Sequence, residues 1–426
     1  MNIKAEVCGS LCIALLVLLW PRNAMAAEQP KGATTGMQEF QAVYGQIVRD
    51  EGEGVAEYEH LRTIYSTLEG MERMQASQLL SMTDAVFGRY QDAENHYYAA
   101  FPAGKKPGEC PVADVMAKPA IEVLRKVTAD AQIVMINESH SIAATRAFLV
   151  QLVPTLRQLG FKYLALEALA PASDELINSP PMKALQDISI PSRGYPLDQS
   201  SAGFYLREPI YAELVREAIA HGFKLVAYET LQAKSRDERE DGQAKALAKL
   251  IAADPEAKIA VIAGYSHIWK ADGWMADRLQ KEIGRKVLSI DQTSRVLGCA
   301  GRIAPAALDS YILTNADGRA WSSMPDRVDV TVLHAPREDG RTIASGWLTL
   351  GGRRKGVQPD ITACADAWPC LISAIYADED EQAVPADRVL LEGANDESLL
   401  FLKPGTYRYI ISPHGRAAAT YELTVR

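Results

Sequence analysis

From Ala131 onward the chain alternates short β-branched or aliphatic runs with amphipathic stretches at helical spacing, and this alternation restricts its fold more than any other feature. Ile133–Ile136, Tyr163–Leu166, Leu225–Ala227, Ile259–Ile262 and Val287–Ile290 read as strands. Thr145–Leu159, Pro209–His221, Glu238–Ala252 and Trp274–Ile283 read as the helices between them. Gly160 and Gly222 follow helix ends as C-caps, and Asp254-Pro255 stops a third helix. Strands alternating with helices pair in parallel through crossovers, so the expectation is an α/β fold: an open, mostly parallel sheet with flanking helices. In such sheets ligands bind outside the carboxyl ends of the strands, and the residues that follow each strand are where chemistry is expected.

The α/β domain is expected over residues 111–354, between two segments of different character. Residues 27–110 read as an N-terminal helical region, with Leu61, Ile64, Tyr65, Leu68 and Met71 at helical spacing. Residues 355–426 read as a small β-rich C-terminal domain, in which Arg388–Leu391, Leu399–Leu402, Tyr407–Ile411 and Tyr421–Val425 would form an antiparallel sheet or sandwich. Val328–Leu333 and Ile343–Leu350 also read as strands, and the segment from Asp329 to Arg354 is placed with the α/β domain. The acidic run Asp378–Glu381 reads as a solvated connection.

Residues 1–26 read as a signal peptide: Lys4 supplies the positive region, Leu11 to Trp20 the apolar one, and Ala24-Met25-Ala26 the cleavage site. A periplasmic or secreted location follows, with no stable membrane span after signal cleavage, because no second long apolar run appears. The remaining cysteines are Cys110, Cys299, Cys364 and Cys370. In an oxidising compartment they are expected as disulfides, Cys364–Cys370 closing a local loop and Cys110–Cys299 a long one. The 426 residues carry 45 Lys and Arg against 54 Asp and Glu, with the positives scattered, so no nucleic acid is expected as a partner.

Four of the five parallel strands run into ionisable groups. Ile133–Ile136 leads into Asn137-Glu138-Ser139-His140, Tyr163–Leu166 into Glu167, Leu225–Ala227 into Tyr228-Glu229, and Ile259–Ile262 shortly into Gly264-Tyr265-Ser266-His267. Glu138 and His140, one residue apart on a turn, suit a carboxylate that orients an imidazole or shares a metal with it. Each residue alone reads as a solvated turn group, and the coincidence across strands is what favours a site. Arg236, Arg239 and Glu240 open the helix after Glu229 and read as a solvated face. Arg207-Glu208-Pro209 reads as a helix start. No Gly-x-Ser-x-Gly elbow, Walker loop, dinucleotide fingerprint or His-Glu-x-x-His motif is present, which leaves serine hydrolase, nucleotide-binding and zincin readings without support.

Asn137-Glu138-Ser139-His140, Leu159-Gly160-Phe161, Ala165-Leu166-Glu167-Ala168 and Ala263-Gly264-Tyr265-Ser266-His267 together resemble the erythromycin esterase, ChaN and Tiki superfamily over roughly residues 115–350. The esterase-like branch is the most similar, although Asn137 stands where glycine is usual and the Glu-x-His spacing departs from that of true erythromycin esterases. The resemblance implies a hydrolase acting on an ester, lactone or amide bond of a small-molecule or peptide substrate. His140 would be the general base, Glu138 or Glu167 would hold it, and His267 with Arg239 would stabilise the oxyanion. A Tiki-like variant would place a divalent metal at Glu138, His140, Glu229 and His267. The alternative that ChaN suggests is a non-catalytic haem- or ligand-binding envelope protein, with Tyr228 or Tyr265 as the iron ligand.

Overall fold

The computed structural model describes residues 54–102, 115–171, 187–199, 204–294, 308–335 and 346–426, with short pieces at 108–109, 185 and 296–297. The expected signal peptide and the expected Cys110–Cys299 pairing lie outside the described residues.

Among the described residues three helices lead, α1 (Val55–Tyr65), α2 (Gly70–Val86) and α3 (Tyr90–Ala100), and the last two form a hairpin about a turn at Phe87–Arg89. β1 (Gly108–Glu109) and β2 (Met116–Pro119) follow, then α4 (Ala120–Val127). The expected alternation comes next: β3 (Ile133–Glu138), α5 (Ala143–Gln158), β4 (Phe161–Leu166), the short α6 (Ile190–Arg193), α7 (Pro209–Ala220), β5 (Lys224–Val226), α8 (Arg236–Ala253), β6 (Lys258–Gly264), α9 (Met275–Ile283) and β7 (Leu288–Asp291). Gly160 and Gly222 end α5 and α7 with φ of 86° and 76°. β8 (Val296–Leu297), β9 (Ser310–Thr314) and β10 (Val330–His334) complete this part.

The main sheet has eight strands in the order β2-β9-β10-β7-β3-β6-β4-β5. From β10 to β5 every neighbour is parallel, while β9 and β2 are antiparallel additions at one edge. Strand residues alternate between two apolar layers, as a period of two requires. Val134, Ile136, Leu164, Leu166, Ala260 and Ile262 face α5, α7 and the N-terminal helices. Ile133, Met135, Ala165, Ile259, Val261 and Ala263 face α8 and α9. Cover on both faces is why β3 and β6 read as continuous apolar runs.

The C-terminal part differs in detail from expectation. β11 (Lys355–Val357), β12 (Cys370–Tyr376), β13 (Asp387–Leu391), β14 (Leu400–Leu402), β15 (Gly405–Pro413) and β16 (Ala419–Val425) follow one another. The antiparallel sheet runs β13-β12-β15-β16, and β14 pairs with β11 instead of joining it. β12, one of its two interior strands, is not among the expected ones, because a short apolar run has no period to separate strand from helix. The described end of Ile343–Leu350 is a 3-10 turn at Gly346–Thr349, closed by the Thr349 hydroxyl donating to the Gly346 carbonyl at 2.5 Å. Cys364 and Cys370 form the expected local disulfide, with Cα atoms 5.9 Å apart. Among the described residues no helix is long and apolar enough to cross a membrane.

The acidic run is not wholly solvated, for Glu379 holds Arg216 of α7 through two bonds of 2.7 and 2.5 Å. One turn earlier Glu213, fully buried, meets Arg354 at 3.2 Å, accepts from Tyr376 Oη at 3.2 Å and pairs with Lys403. α7 is therefore bolted to the C-terminal part by buried charge. Burial pushes the Glu213 carboxyl up, but Arg354, then Lys403 and Arg216, bring it down to about 2. A depressed carboxylate contributes stability above its unfolded pKa and loses it as pH falls toward the folded value. Glu213 is thus expected to contribute about 3 kcal/mol near neutrality, lost as the pH falls from about 4.5 to about 2. Urea unfolding of wild type and Glu213→Gln across that range checks it: the variant should be weaker at pH 7 and less sensitive to acid.

Candidate active site

The parallel register of β3 on β6 sets Glu138 opposite Gly264. Past β3, Ile142 N–H donates to the Ser139 carbonyl at 3.2 Å and Ser139 N–H to Thr145 Oγ1 at 3.1 Å, a turn that delivers the chain into α5 with His140 at its tip. The His140 Nδ1–H faces Glu138 Oε1 at 2.5 Å. Its ring stacks on Tyr205, centroids 4.3 Å apart, and meets the edge of Tyr265 at 5.1 Å. A β-carbon on Gly264 would stand 2.6 Å from His140 Nε2 and 2.5 Å from Cε1, so the imidazole occupies room that only glycine leaves. With Nδ1–H committed to a carboxylate, Nε2 carries the lone pair, and among the described residues it has no hydrogen-bond partner.

Glu167 lies one residue past β4. Its N–H donates to the Ile262 carbonyl at 3.1 Å, and its Oε2 accepts from Gly264 N at 2.5 Å. The carboxylate thus comes to the same glycine as His140. Burial pushes the Glu167 carboxyl up, yet His267, Arg239, His140 and the Gly264 N–H together hold it below the usual carboxylate range.

Arg239 lies beyond Glu167, 6% exposed rather than solvated. Its Nη2 bonds both Glu167 and Glu229, its Nε donates to Glu229 Oε1 at 3.0 Å, and its Nη1 stands 2.6 Å from His267 Nε2. Every nitrogen is engaged, so Arg239, expected to face an oxyanion, instead gathers two carboxylates and an imidazole. Glu240, also expected on a solvated face, is fully buried and takes His267 Nδ1 at 2.9 Å and Met275 N–H at 2.8 Å. Burial pushes the His267 pKa down, but the Glu240 and Glu167 carboxylates outweigh it and raise it. Arg239 Nη1 can bond Nε2 only while the ring is unprotonated, with its proton on Nδ1 toward Glu240. Once protonated, Nε2–H has Glu167 Oε1 within 3.5 Å as its acceptor.

The structure brings Glu138, His140, Glu167, Arg239 and His267 around one strand end. It does not gather Glu138, His140, Glu229 and His267 into a metal cage: among the described residues no three such side chains converge at ligand spacing. Arg239 supplies the positive charge a cation would bring, and Glu229 is spent on Arg239, Gln243 and the Thr230 N–H. The haem ligands do not fit either. Tyr228 Oη is buried and donates to the Ile262 carbonyl at 2.7 Å, and Tyr265 Oη lies 3.1 Å from Ser139 Oγ with its ring stacked on Tyr97. Tyr265 has φ of 44°, a left-handed conformation that a bulky residue adopts only where its surroundings impose it.

Arg146 and Tyr205 escaped the sequence reading. Arg146 Nη1 reaches Glu138 Oε2 at 3.3 Å and the His140 carbonyl at 3.1 Å. Its place in the first turn of α5, just past the turn that follows Glu138, was the available signal, since a buried charge needs a partner of opposite sign. Tyr205 comes from a separate segment, and local spacing does not show that its ring stacks on His140.

No protein-family model and no curated protein matches the chain. Among solved structures it is similar to the type III effector HopBA1, with 17% identity over 53% of this chain and 97% of that one, TM-score 0.31. It is also similar to the MARTX toxin effector domain RRSP from Vibrio vulnificus, with 15% identity over 61% of this chain and 56% of that one, TM-score 0.30. The C-terminal region of Pasteurella multocida toxin, described as having a thiol-protease-like triad, matches at 10% identity over 96% and 65%, TM-score 0.30. Likeness at this level carries no inference about activity.

Gly264→Ala tests the geometry. The added methyl must displace the imidazole, and any activity that uses His140 should fall about a hundredfold, a loss typical of a reacting group misplaced by about 1 Å. Rate and thermal melting measured together check it, with the melting nearly unchanged.

Proposed function

We propose that the chain is a hydrolase in which His140 Nε2, acting as general base, activates water against an ester, lactone or amide carbonyl. The observation that carries this reading is the Glu138–His140 pair: a buried carboxylate fixes the proton on Nδ1 and leaves Nε2 as an acceptor beside Gly264 and Glu167. The motif resemblance to the esterase-like branch supports it.

Water held by Nε2 would lose its proton as oxygen attacks the carbonyl carbon. The imidazolium so formed is stabilised by Glu138, and its proton then goes to the leaving oxygen or nitrogen. Glu167, kept ionised by Arg239 and His267, favours that imidazolium from its other side. Arg239 and His267 act here as holders of Glu167. The Tyr265 and Ser139 hydroxyls, 3.1 Å apart with the Tyr265 ring edge-on to the imidazole, would serve as uncharged donors to the developing oxyanion. The Cys364–Cys370 disulfide and the leader-like first residues support a periplasmic or secreted place of work.

A panel of 4-nitrophenyl esters, lactones and peptide amides tests the reading. Hydrolysis of one class is expected, undiminished by chelator, and Glu138→Gln should lower kcat about 10²- to 10⁴-fold, the worth of general-base catalysis. Turnover that chelator abolishes, or that Glu138→Gln leaves intact, rules out the mechanism.

A further inference from the structure

We propose that the N-terminal helices belong to the working site: Tyr90 of α3 and Glu208 before α7 hold Arg146, and Arg146 positions the Glu138–His140 pair. The inference rests on the reading of His140 as base and adds what keeps that base in register.

Arg146 is among the largest fully buried side chains of the chain. Its Nη1 touches the orienting carboxylate, Glu138 Oε2, and also the backbone carbonyl of the residue that carboxylate orients, His140. One nitrogen thus fixes both ends of the Glu138–His140 contact. Its Nε makes an ion pair with Glu208 Oε2 at 3.1 Å, at an angle short of a hydrogen bond, and its guanidinium carbon lies 5.5 Å from the Tyr211 ring centre. The cation is therefore shared between the carboxylates of Glu138 and Glu208, and its position depends on where Glu208 is held.

Glu208 cannot swing. Oε1 accepts from Ile210 N–H at 2.9 Å and Oε2 from Tyr211 N–H at 2.8 Å, the first turn of α7. Tyr90 Oη donates to Oε1 at 2.9 Å. A cap of α7 explains the two backbone bonds. It does not explain why a tyrosine from the helical lead completes the carboxylate, nor why the arginine facing it reaches on to the His140 carbonyl. Positioning explains both: the relay Tyr90–Glu208–Arg146–Glu138 joins α3, α7 and α5 to the turn that carries the base.

A purely structural role would alter stability alone, whereas positioning alters which ring nitrogen of His140 holds the proton. The test is the ¹⁵N spectrum of the His140 ring in histidine-labelled full chain, assigned by loss of its signals in His140→Gln. Wild type should show one fixed tautomer, protonated at Nδ1. Tyr90→Phe, which removes one hydroxyl and keeps the ring, should move the two ring signals toward averaged tautomers. It should also lower kcat about three- to tenfold at unchanged KM, the size expected for one lost hydrogen bond acting through another group. Arg146→Lys should do more, and Tyr90→Phe should add nothing on top of it. Gln91→Ala on the same helix should change neither reading. A fixed tautomer left untouched by Tyr90→Phe in a folded protein overturns the relay and spares the base. Averaged tautomers in wild type overturn both.

Discussion

Glu138 faces Gly264 because β3 and β6 run parallel in one register, and the site depends on that pairing. A slip of one residue would turn Glu138 to the opposite face and set a side chain where the His140 ring lies. Within this register the missing β-carbon of Gly264 admits the imidazole, and its N–H fixes Glu167 from the next strand. Adjacent strands β3, β6 and β4 thus deliver base, platform and carboxylate to one point, where open α/β sheets bind their ligands.

Charge is the second constraint. Glu138, Glu167, Glu208 and Glu240 are all buried, and each ion taken out of water costs several kcal/mol unless it is bonded. Two arginines provide the bonding. Arg146 lies between Glu138 and Glu208 on one side of His140, and Arg239 lies between Glu167 and Glu229 on the other. Such an arrangement adds little net stability, but it holds oxygen atoms in fixed directions, which is what a general base needs from its surroundings. It also explains why the acidic cluster is not a metal cage, for a guanidinium already stands in the middle of it.

Much of this was legible in the sequence. Five of the six parallel strands and four of their helices follow from period and caps, and Glu138, His140, Glu167 and His267 follow from their places at or just after strand ends. What was not legible depends on contacts between distant segments. Arg239 and Glu240 read as a charged helix face because local spacing cannot show that the first turns of α8 point inward, toward Glu167 and His267. Tyr205 and Tyr90 come from segments distant in sequence, and the contacts they make, Tyr205 with the His140 ring and Tyr90 with Glu208, are not visible in local spacing. In the acidic run, otherwise exposed as expected, Glu379 is the exception for the same reason: its partner, Arg216, lies on a helix far away in sequence.

The most direct measurement of the central claim is the hydrolysis rate of His140→Ala with and without free imidazole, on whichever ester or amide the wild type cleaves. The account predicts a kcat/KM lower by about a hundredfold or more, with part of the rate restored as imidazole fills the space beside Gly264. A variant as fast as wild type, indifferent to imidazole, would contradict it.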